Sequence, residues 1–467
     1  MTGDPTSRPR LVSWADYRIV GGGTARTGKT AQFWCLRLAL GLLPGQAVYQ
    51  LDVASLGHVA RAASQPSAKL RVARTIVLLG CVSCLTDISS EMVASVLPIY
   101  LLTQLQFSPL QFGIVDGLYQ GVSAIARLAS GVIADRWPGH KLVATFGYAL
   151  SALCKLGMLV LPGSPASFAT LIAIDRTGKG VRTAPRDAMI SLSAPPSELA
   201  TGFGVHRAFD TAGVFVGPLI AFFVLRSIAD GFNVIFALSL AAAVLGLGVL
   251  VLLVQDPPSH EPTTKPSFRT MLRVCTNPQL RPVLVVGALL NVTVMGDAFL
   301  YVILQRLGAG AVETLPLFYV ITSVGFLALA VPVGRLADRI GRARVYLAGH
   351  VAVVGVYCIA LGLPLNAASL TVCLLLYGAY YAATDGVLAA IVGGIVPREV
   401  LGSSMGAIGT ATSLARLGGS VLLGALWTWQ GPALALGFAS VGTVIVAAGF
   451  GRRLLQLDAH RTHETRA

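Results

Sequence analysis

Apolar runs of about 20 residues recur along the chain between short polar stretches, each long enough to cross about 30 Å of hydrocarbon as a helix. A sliding window of about 19 residues places twelve spans. They lie at 75–104, 109–133, 141–162, 166–191, 201–226, 232–254, 283–305, 314–335, 344–364, 367–395, 403–428 and 432–451. A polar connector with Pro257, Pro258, Pro262 and Pro266 separates the sixth span from the seventh. Backbone groups in lipid need internal partners, and segments of this length find them only as helices. The pattern predicts an all-α polytopic membrane protein. Its first six-helix bundle covers 73–254, a cytoplasmic linker 255–282, a second six-helix bundle 283–451 and a short tail 452–467.

Composition agrees with that reading. Of 467 residues, 54% are hydrophobic and 12% charged, against roughly 25% charged in soluble domains, and mean hydropathy is +0.72. The net charge of +14 would suit a nucleic-acid partner if the cations were clustered on one folded face. Instead they alternate by side. The loops near 134–141, 182–200, 255–281, 335–344 and 396–402, with both ends of the chain, hold most of the basic residues. Opposite them, Leu105-Gln106-Phe107, Pro162-Gly163-Ser164, Pro364-Leu365-Asn366 and Thr428-Trp429-Gln430 are uncharged. This is the positive-inside pattern: both termini cytoplasmic, a multi-pass protein of the plasma (inner) membrane, and no nucleic-acid partner.

Residues 1–72 stand apart as a basic cytoplasmic tail, expected to be disordered or to arise from a start codon set upstream of the true one. Within them Gly23-Thr-Ala-Arg-Thr-Gly28-Lys29-Thr30 fits the phosphate-loop pattern. Asp16–Val20 is a poor strand, and about 45 residues cannot build the parallel sheet such a loop needs. A nucleotide site is therefore not expected. The apolar run Leu38–Leu43 is too short for a signal peptide.

One short basic stretch occurs twice, about 200 residues apart, the signature of two homologous halves. The first copy runs from Gly131 through Asp135 and Arg136 to Gly139, His140 and Lys141; the second from Gly334 through Asp338 and Arg339 to Gly341, Arg342 and Arg344. These loops resemble motif A of the major facilitator superfamily, G-x-x-x-D-R-x-G-R-[KR]-[KR]. The second is a near-complete match; the first departs at Trp137-Pro138 and His140. Arg176-Thr-Gly-Lys-Gly180 is similar to motif B of that superfamily. Gly213-Val-Phe-Val-Gly217-Pro218 resembles motif C of its antiporters, with Ala221-Phe222 where a Gly-Gly pair is expected. The resemblance covers about residues 73–455 and implies a twelve-helix transporter of the drug-proton-antiporter-like branch.

In that superfamily the motif A carboxylate locks against a helix N-terminus of the opposite half when the cytoplasmic side is shut, a place where unpaired N–H groups favour an anion. By resemblance Asp135 should face Gly402-Ser403, and Asp338 should face Thr201-Gly202. Arg136, Arg339 and Arg342 would pair with carboxylates or anionic lipid. The plainer alternative is that these charges only set topology; the coincidence of two copies favours a gate.

Charges inside the spans are costly if they face lipid, at least ~2.5–3.5 kcal/mol each at the centre. The first span carries Asp87 and Glu91, four apart and on one helical face; the second carries Asp116 and Arg127, the third Lys155. The fourth is the most polar, with Asp175, Arg176, Lys179, Arg182, Arg186 and Asp187, and the fifth has His206, Arg207 and Asp210. Sparser polar positions follow: Asn291 and Asp297, Asp385, and Arg416. Counted from the cytoplasmic ends, Asp87, Arg176, Lys179 and Asp210 lie at similar depth. By resemblance the first and fourth helices line the central cavity. Asp87 and Glu91 are the favoured proton carriers, with Arg176 or Lys179 as partners. Asp297, Asp385 and Arg416 are candidates for the opposite wall. Arg207–Asp210 and Asp175–Lys179 read equally well as permanent ion pairs. The stretch 176–187 reads as a structural gate before an anion site, and Tyr377, Tyr380, Tyr381, Trp427 and Trp429 as packing or interfacial belt.

The seven cysteines are scattered, and Cys81-Val-Ser-Cys84 has no partner ligands. No metal-spaced set, nucleophile or paired-acid signature stands out, so neither an enzyme nor a cofactor is expected. The expected function is proton-coupled export of a small organic compound by a monomeric carrier. Proton-coupled uptake of a metabolite is the alternative, and a non-transporting membrane sensor a third, remoter class.

Overall fold

The computed structural model describes residues 74–134, 139–161, 164–194, 199–256, 276–308, 311–396 and 401–464; the tail, the phosphate-loop-like stretch and most of the linker lie outside these. The described residues are helical: α1 Arg74–Ile99, continued by a π turn Tyr100–Gln104; α2 Pro109–Ala134; α3 His140–Val160; α4 Pro165–Ser193; α5 Leu199–Ser227; α6 Phe232–Leu253. The second half comprises α7 Arg281–Thr293, α8 Asp297–Leu307, α9 Leu315–Ile340, α10 Arg342–Gly362, α11 Ala367–Ile395, α12 Leu401–Gln430 and α13 Pro432–Glu464. Among the described residues nine spans, counting α7 with α8 as one, are long and apolar enough to cross a membrane. The polar α4 is not among them. Large apolar side chains face outward, Leu142 at 68%, Leu252 at 80% and Ile445 at 62% exposure, an arrangement suited to lipid and not to water.

The expected seventh span is broken. Val294, Met295 and Gly296 leave the helix, and Asp297 restarts it with Gly296 as N-cap. The backbone groups freed there find tyrosines: Tyr357 Oη accepts from Met295 N–H (2.9 Å) and Tyr377 Oη donates to the Met295 carbonyl (3.0 Å). A break at membrane depth is tolerated only with such partners.

The duplication seen in the motifs extends to helix ends. α3 and α10 have the same length, as do α4 and α11, and each pair starts at an offset of 202 residues (140 to 342, 165 to 367). Gly139 (φ +118°) and Gly341 (φ +109°) open the equivalent helices α3 and α10 in backbone geometry that side chains rarely adopt. Ser164 and Asn366 cap α4 and α11 by accepting from the N–H of Ser167 (3.2 Å) and Ser369 (2.9 Å).

In the first half α1 packs on α5 and α6, and α4 on α2 and α3; in the second, α11 packs on α9 and α10, and α7 on α12 and α13. The halves meet where α2 crosses α12 and α5 crosses α9. Small residues allow the close crossings. A Cβ on Gly213 would stand 2.7 Å from the Cys84 carbonyl, and one on Gly217 2.8 Å from that of Ile88. The motif C-like glycines thus let α5 lie against α1. The α2–α12 crossing is tighter still, with Gly113 needing to clear the Ser420 carbonyl and Gly424 that of Pro109.

Candidate functional site

A cavity of about 110 Å³ lies between the halves. Its acids come from both sides: Glu91 from α1, Asp116 from α2 and Asp297 from the start of α8. Between them stand the rings of Phe112, Tyr119, Tyr301, Tyr319, Phe326 and Tyr381. Among the described residues, no lysine or arginine lines it.

Each acid is held differently. Glu91 is 8% exposed and, among the described residues, has neither a hydrogen bond nor an ion pair; the charges acting on it are those of Lys179, Asp87, Arg176 and Asp297. Asp116 accepts from Ser420 Oγ across the junction of the halves at 2.6 Å. Asp297 accepts from Tyr381 Oη and shares the single Tyr377 hydroxyl hydrogen with the Met295 carbonyl, 3.0 Å to each acceptor, and its neighbour Gly296 lies against Asp116. Asp87, one turn before Glu91, is absent from the wall and lies behind it. There it feels Asp210, Lys179, Arg182 and Arg186.

The cations of α4 are mostly committed elsewhere. Asp175 pairs with Lys155 of α3 at 3.2 Å and with its neighbour Arg176, all three side chains being 2–3% exposed. The expected Asp175–Lys179 pair is therefore replaced by Asp175–Lys155. Arg176 stacks on the Tyr119 ring at 4.0 Å. Arg182 lies over Tyr148 (4.6 Å) and donates to Ser151 Oγ (3.2 Å). Arg186 pairs with Asp187 (3.0 Å) and donates to Ser83 Oγ (3.1 Å). Lys179 alone of these α4 cations has no ion pair, side-chain hydrogen bond or ring contact within the described residues; Asp87 and Glu91 are the acids acting on it. On α5, Asp210 lies 3.5 Å from His206 and 3.8 Å from Arg207.

Asp385 and Arg416 sit behind the second wall, where Arg416 is the leading charge on Asp385 and donates to Asn291 Oδ1 at 2.8 Å. Gly180 and Pro218 are built into α4 and α5, and Pro218 reaches the cavity. Of the first motif A, Gly131 lies in α2, whereas Asp135 and Arg136 fall outside the described residues. Lys141 at its end donates to the Val251 carbonyl of α6 (2.9 Å). In the second copy Asp338, its side chain 58% exposed, accepts from Arg342 (3.1 Å), which also donates to the Ala390 carbonyl (2.7 Å). Gly334 and Arg339 are open to the surroundings. The start of α5 has Ile76 and Ala194 beside Gly202.

Two functional features were not legible in advance. Asp116 stood out only as a charge in a span, and its partner Ser420 is 304 residues away. The tyrosines read as packing turn out to hold Asp297 and the helix break, while Trp427 is buried and Trp429 is 74% exposed.

A helical protein with many apolar outer faces and a charged cavity between two repeated halves is a polytopic membrane carrier. The chain belongs to the Major Facilitator Superfamily, whose family model matches residues 79–420 and 312–466. It is 30% identical over 367 residues to an uncharacterised MFS-type transporter of Methanocaldococcus jannaschii, covering 76% of this chain and 89% of that one. Among solved structures, a point mutant of the nucleoside transporter NupG superposes with a TM-score of 0.70 at 15% identity, over 82% of this chain and all of that one. A bacterial homologue of the human lysosomal transporter Spinster, inward-facing and unoccupied, gives 0.65 at 15% identity over 86% and 98%. At such identities the likeness is of fold. The protein is a multi-pass membrane transporter and not an enzyme.

Proposed function

We propose that this transporter is a proton-coupled secondary carrier. Twelve spans form two six-helix halves that rock about the cavity between Glu91, Asp116 and Asp297, moving a small organic molecule by alternating access. The observation that carries the proposal is the acid–base set Asp87, Glu91 and Lys179. Asp87 and Glu91 of α1 are the acids whose charges act on Lys179 of α4, and neither Glu91 nor Lys179 has a fixed ionic partner among the described residues. Ion pairs built for stability are locked, as Lys155–Asp175–Arg176 is. A group that must gain and lose a proton each cycle needs a partner it can leave. Protonation of Asp87 would release Lys179 and free the halves to move.

Three contacts between the halves, Leu110 N–H to Thr428 Oγ1 (2.9 Å), Phe112 on Phe299 (4.6 Å) and Ser420 to Asp116, all lie toward the ends with uncharged loops. Asp338, at the basic end, is paired within its own motif. With both termini cytoplasmic in a plasma membrane, this arrangement supports a state open to the cytoplasm, in which Asp338 is not engaged with the opposite half. Export in the manner of the drug-proton-antiporter-like branch is the favoured direction, supported by the glycines that bring α5 onto α1. Uptake is the second reading, favoured by Ala221-Phe222 where an antiporter motif C carries glycines. The working unit is taken as a monomer without cofactor.

The test is a substrate screen in proteoliposomes under an imposed pH gradient, whose direction of flux also separates export from uptake. Asp87→Asn should reduce uphill accumulation to the level of protein-free vesicles while sparing substrate exchange without net proton movement. Glu91→Gln should shift the pH optimum more mildly. Full uphill transport in both variants would refute this proton site, and flux indifferent to an uncoupler would refute proton coupling itself.

A further inference from the structure

The cavity's chemistry is one-sided. Three carboxylates converge on it from α1, α2 and α8, and among the described residues its wall holds no cation. Of the nearby positive charges, Arg176 is bound to Asp175 and the Tyr119 ring and Arg416 to Asn291, while Lys179, whose charge acts on Glu91, stands outside the wall. Asp116 and Asp297 have hydroxyl donors, but Glu91 is more than nine-tenths buried and reaches the cavity with no hydrogen-bond or ion-pair partner among the described residues. A buried polar group in that position lacks the partner that would offset its desolvation. Tyr119 adds a second sign, since its hydroxyl is also buried without a hydrogen-bond partner. The remaining wall is aromatic, and aromatic faces attract cations.

From this geometry we infer that the transported substrate is a small organic cation, an amine or quaternary ammonium. Its charge sits among Glu91, Asp116 and Asp297, and its apolar body lies against Phe112, Tyr301 and Phe326. The inference rests on the transport reading above and adds the substrate class. It also divides labour along α1: Glu91 faces the substrate, whereas Asp87 lies outside the wall beside Lys179. An anionic substrate would meet three carboxyl groups and no lining cation among the described residues. A neutral one without a hydrogen-bond donor would leave the Glu91 carboxylate unpaired.

Equilibrium binding to the detergent-solubilised full chain tests this without any gradient. Calorimetry would compare tetramethylammonium, phenyltrimethylammonium, the neutral isostere tert-butylbenzene and the anion benzenesulfonate. At least one ammonium should bind saturably and about tenfold or more tighter than the neutral and anionic probes, a difference of about 1.4 kcal/mol. Glu91→Gln should weaken the ammonium by a similar factor, whereas Glu313→Gln, an acid outside the cavity lining in the partly exposed turn before α9, should not. The comparison of probes on the unaltered protein stands even if the Glu91 variant folds poorly. Equal or tighter binding of benzenesulfonate or tert-butylbenzene, or no saturable binding by either ammonium, overturns the inference. The transport reading fails separately: ammonium that binds but is never moved by a pH gradient sinks the carrier proposal and leaves the substrate class intact.

Discussion

The two halves of the molecule solve the same problem at equivalent positions with different chemistry. At the 202-residue offset that relates α3 to α10 and α4 to α11, Lys155 corresponds to Tyr357, Asp175 to Tyr377 and Lys179 to Tyr381. In the first half the first two of these form a buried ion pair between neighbouring helices. In the second, the tyrosines turn to a broken span and bond the backbone of Met295 and the carboxylate of Asp297. Neutral hydroxyls suit a helix break, since they donate and accept without burying charge. An ion pair suits a rigid helix pair, because separating its members inside a low-dielectric interior is expensive. The scaffold is duplicated, but its polar interior is not: one half is stiffened by charge and the other carries an irregular wall of the cavity.

The largest expected effect probes the charged side of that contrast. Asp175→Asn would leave Lys155 and the neighbouring Arg176 buried without their carboxylate, a change that typically costs about 3–5 kcal/mol. Abundance in the membrane and the thermal midpoint in detergent should both fall sharply. Adding Lys155→Met to the same chain should recover only the part of the loss that comes from the stranded lysine, because Arg176 stays buried without its carboxylate. If the single variant is as stable as the parent, the pair is not what stiffens α3 against α4.

How much of this contrast could be read in the chain follows from the range of the interactions. Helices are set by local pattern, so the spans predicted at 344–364 and 367–395 match α10 and α11 within two residues. The duplicated loops likewise announced the repeat, down to Gly139 and Gly341. The break in the seventh span was missed because apolar residues continue through Val294 and Met295. The available signal was Gly296-Asp297, a helix stop followed by an acid in a first turn. Partners were harder. Spacing along α4 shows that Asp175 and Lys179 share a face, but not that Lys155 crosses from α3 to claim the carboxylate. Asp116 and Ser420 belong to opposite halves, and nothing local links them.

A control for the comparison lies where the halves should agree. Gly217 and Gly419 stand at the same offset, and each faces the first helix of its half. A Cβ would come 2.8 Å from the Ile88 carbonyl at Gly217 and 2.5 Å from the Val292 carbonyl at Gly419. Overpacking typically costs about 1–3 kcal/mol, so either Gly→Ala change should lower the thermal midpoint, Gly419→Ala at least as much as Gly217→Ala. A shift confined to one of them would mean that the close crossings are not equivalent.

The tyrosine side is tested by Tyr377→Phe, which removes the donor to the Met295 carbonyl and one of the two hydroxyls on Asp297. A lost hydrogen bond of this kind costs about 0.5–1.5 kcal/mol, more if the acceptor stays unpaired. Stability should drop modestly, far less than in Asp175→Asn, while transport suffers through the loosened cavity wall. Equal destabilisation by the two variants would erase the distinction between a charged scaffold and a hydroxyl-lined wall.

The smallest effect belongs to the motif A loops, where the halves are expected to act alike. In the present arrangement Asp338 pairs with Arg342, but its side chain is 58% exposed, and solvent screening leaves such a pair little net value. Its contribution would come in the other state, shut on the basic side, where it would meet the start of α5. A carboxylate at a helix N-terminus is worth about 0.3–1 kcal/mol when exposed and up to ~2 kcal/mol when partly buried. Asp338→Asn should therefore leave abundance unchanged and shift the population toward the state open at the basic end by about twofold to about thirtyfold. Labelling rates of single cysteines placed along that side of the cavity would read the shift. Asp135→Asn, in the equivalent loop of the first half, should shift it the same way and add to the effect. Labelling rates unchanged in both variants would leave these carboxylates as topology signals alone.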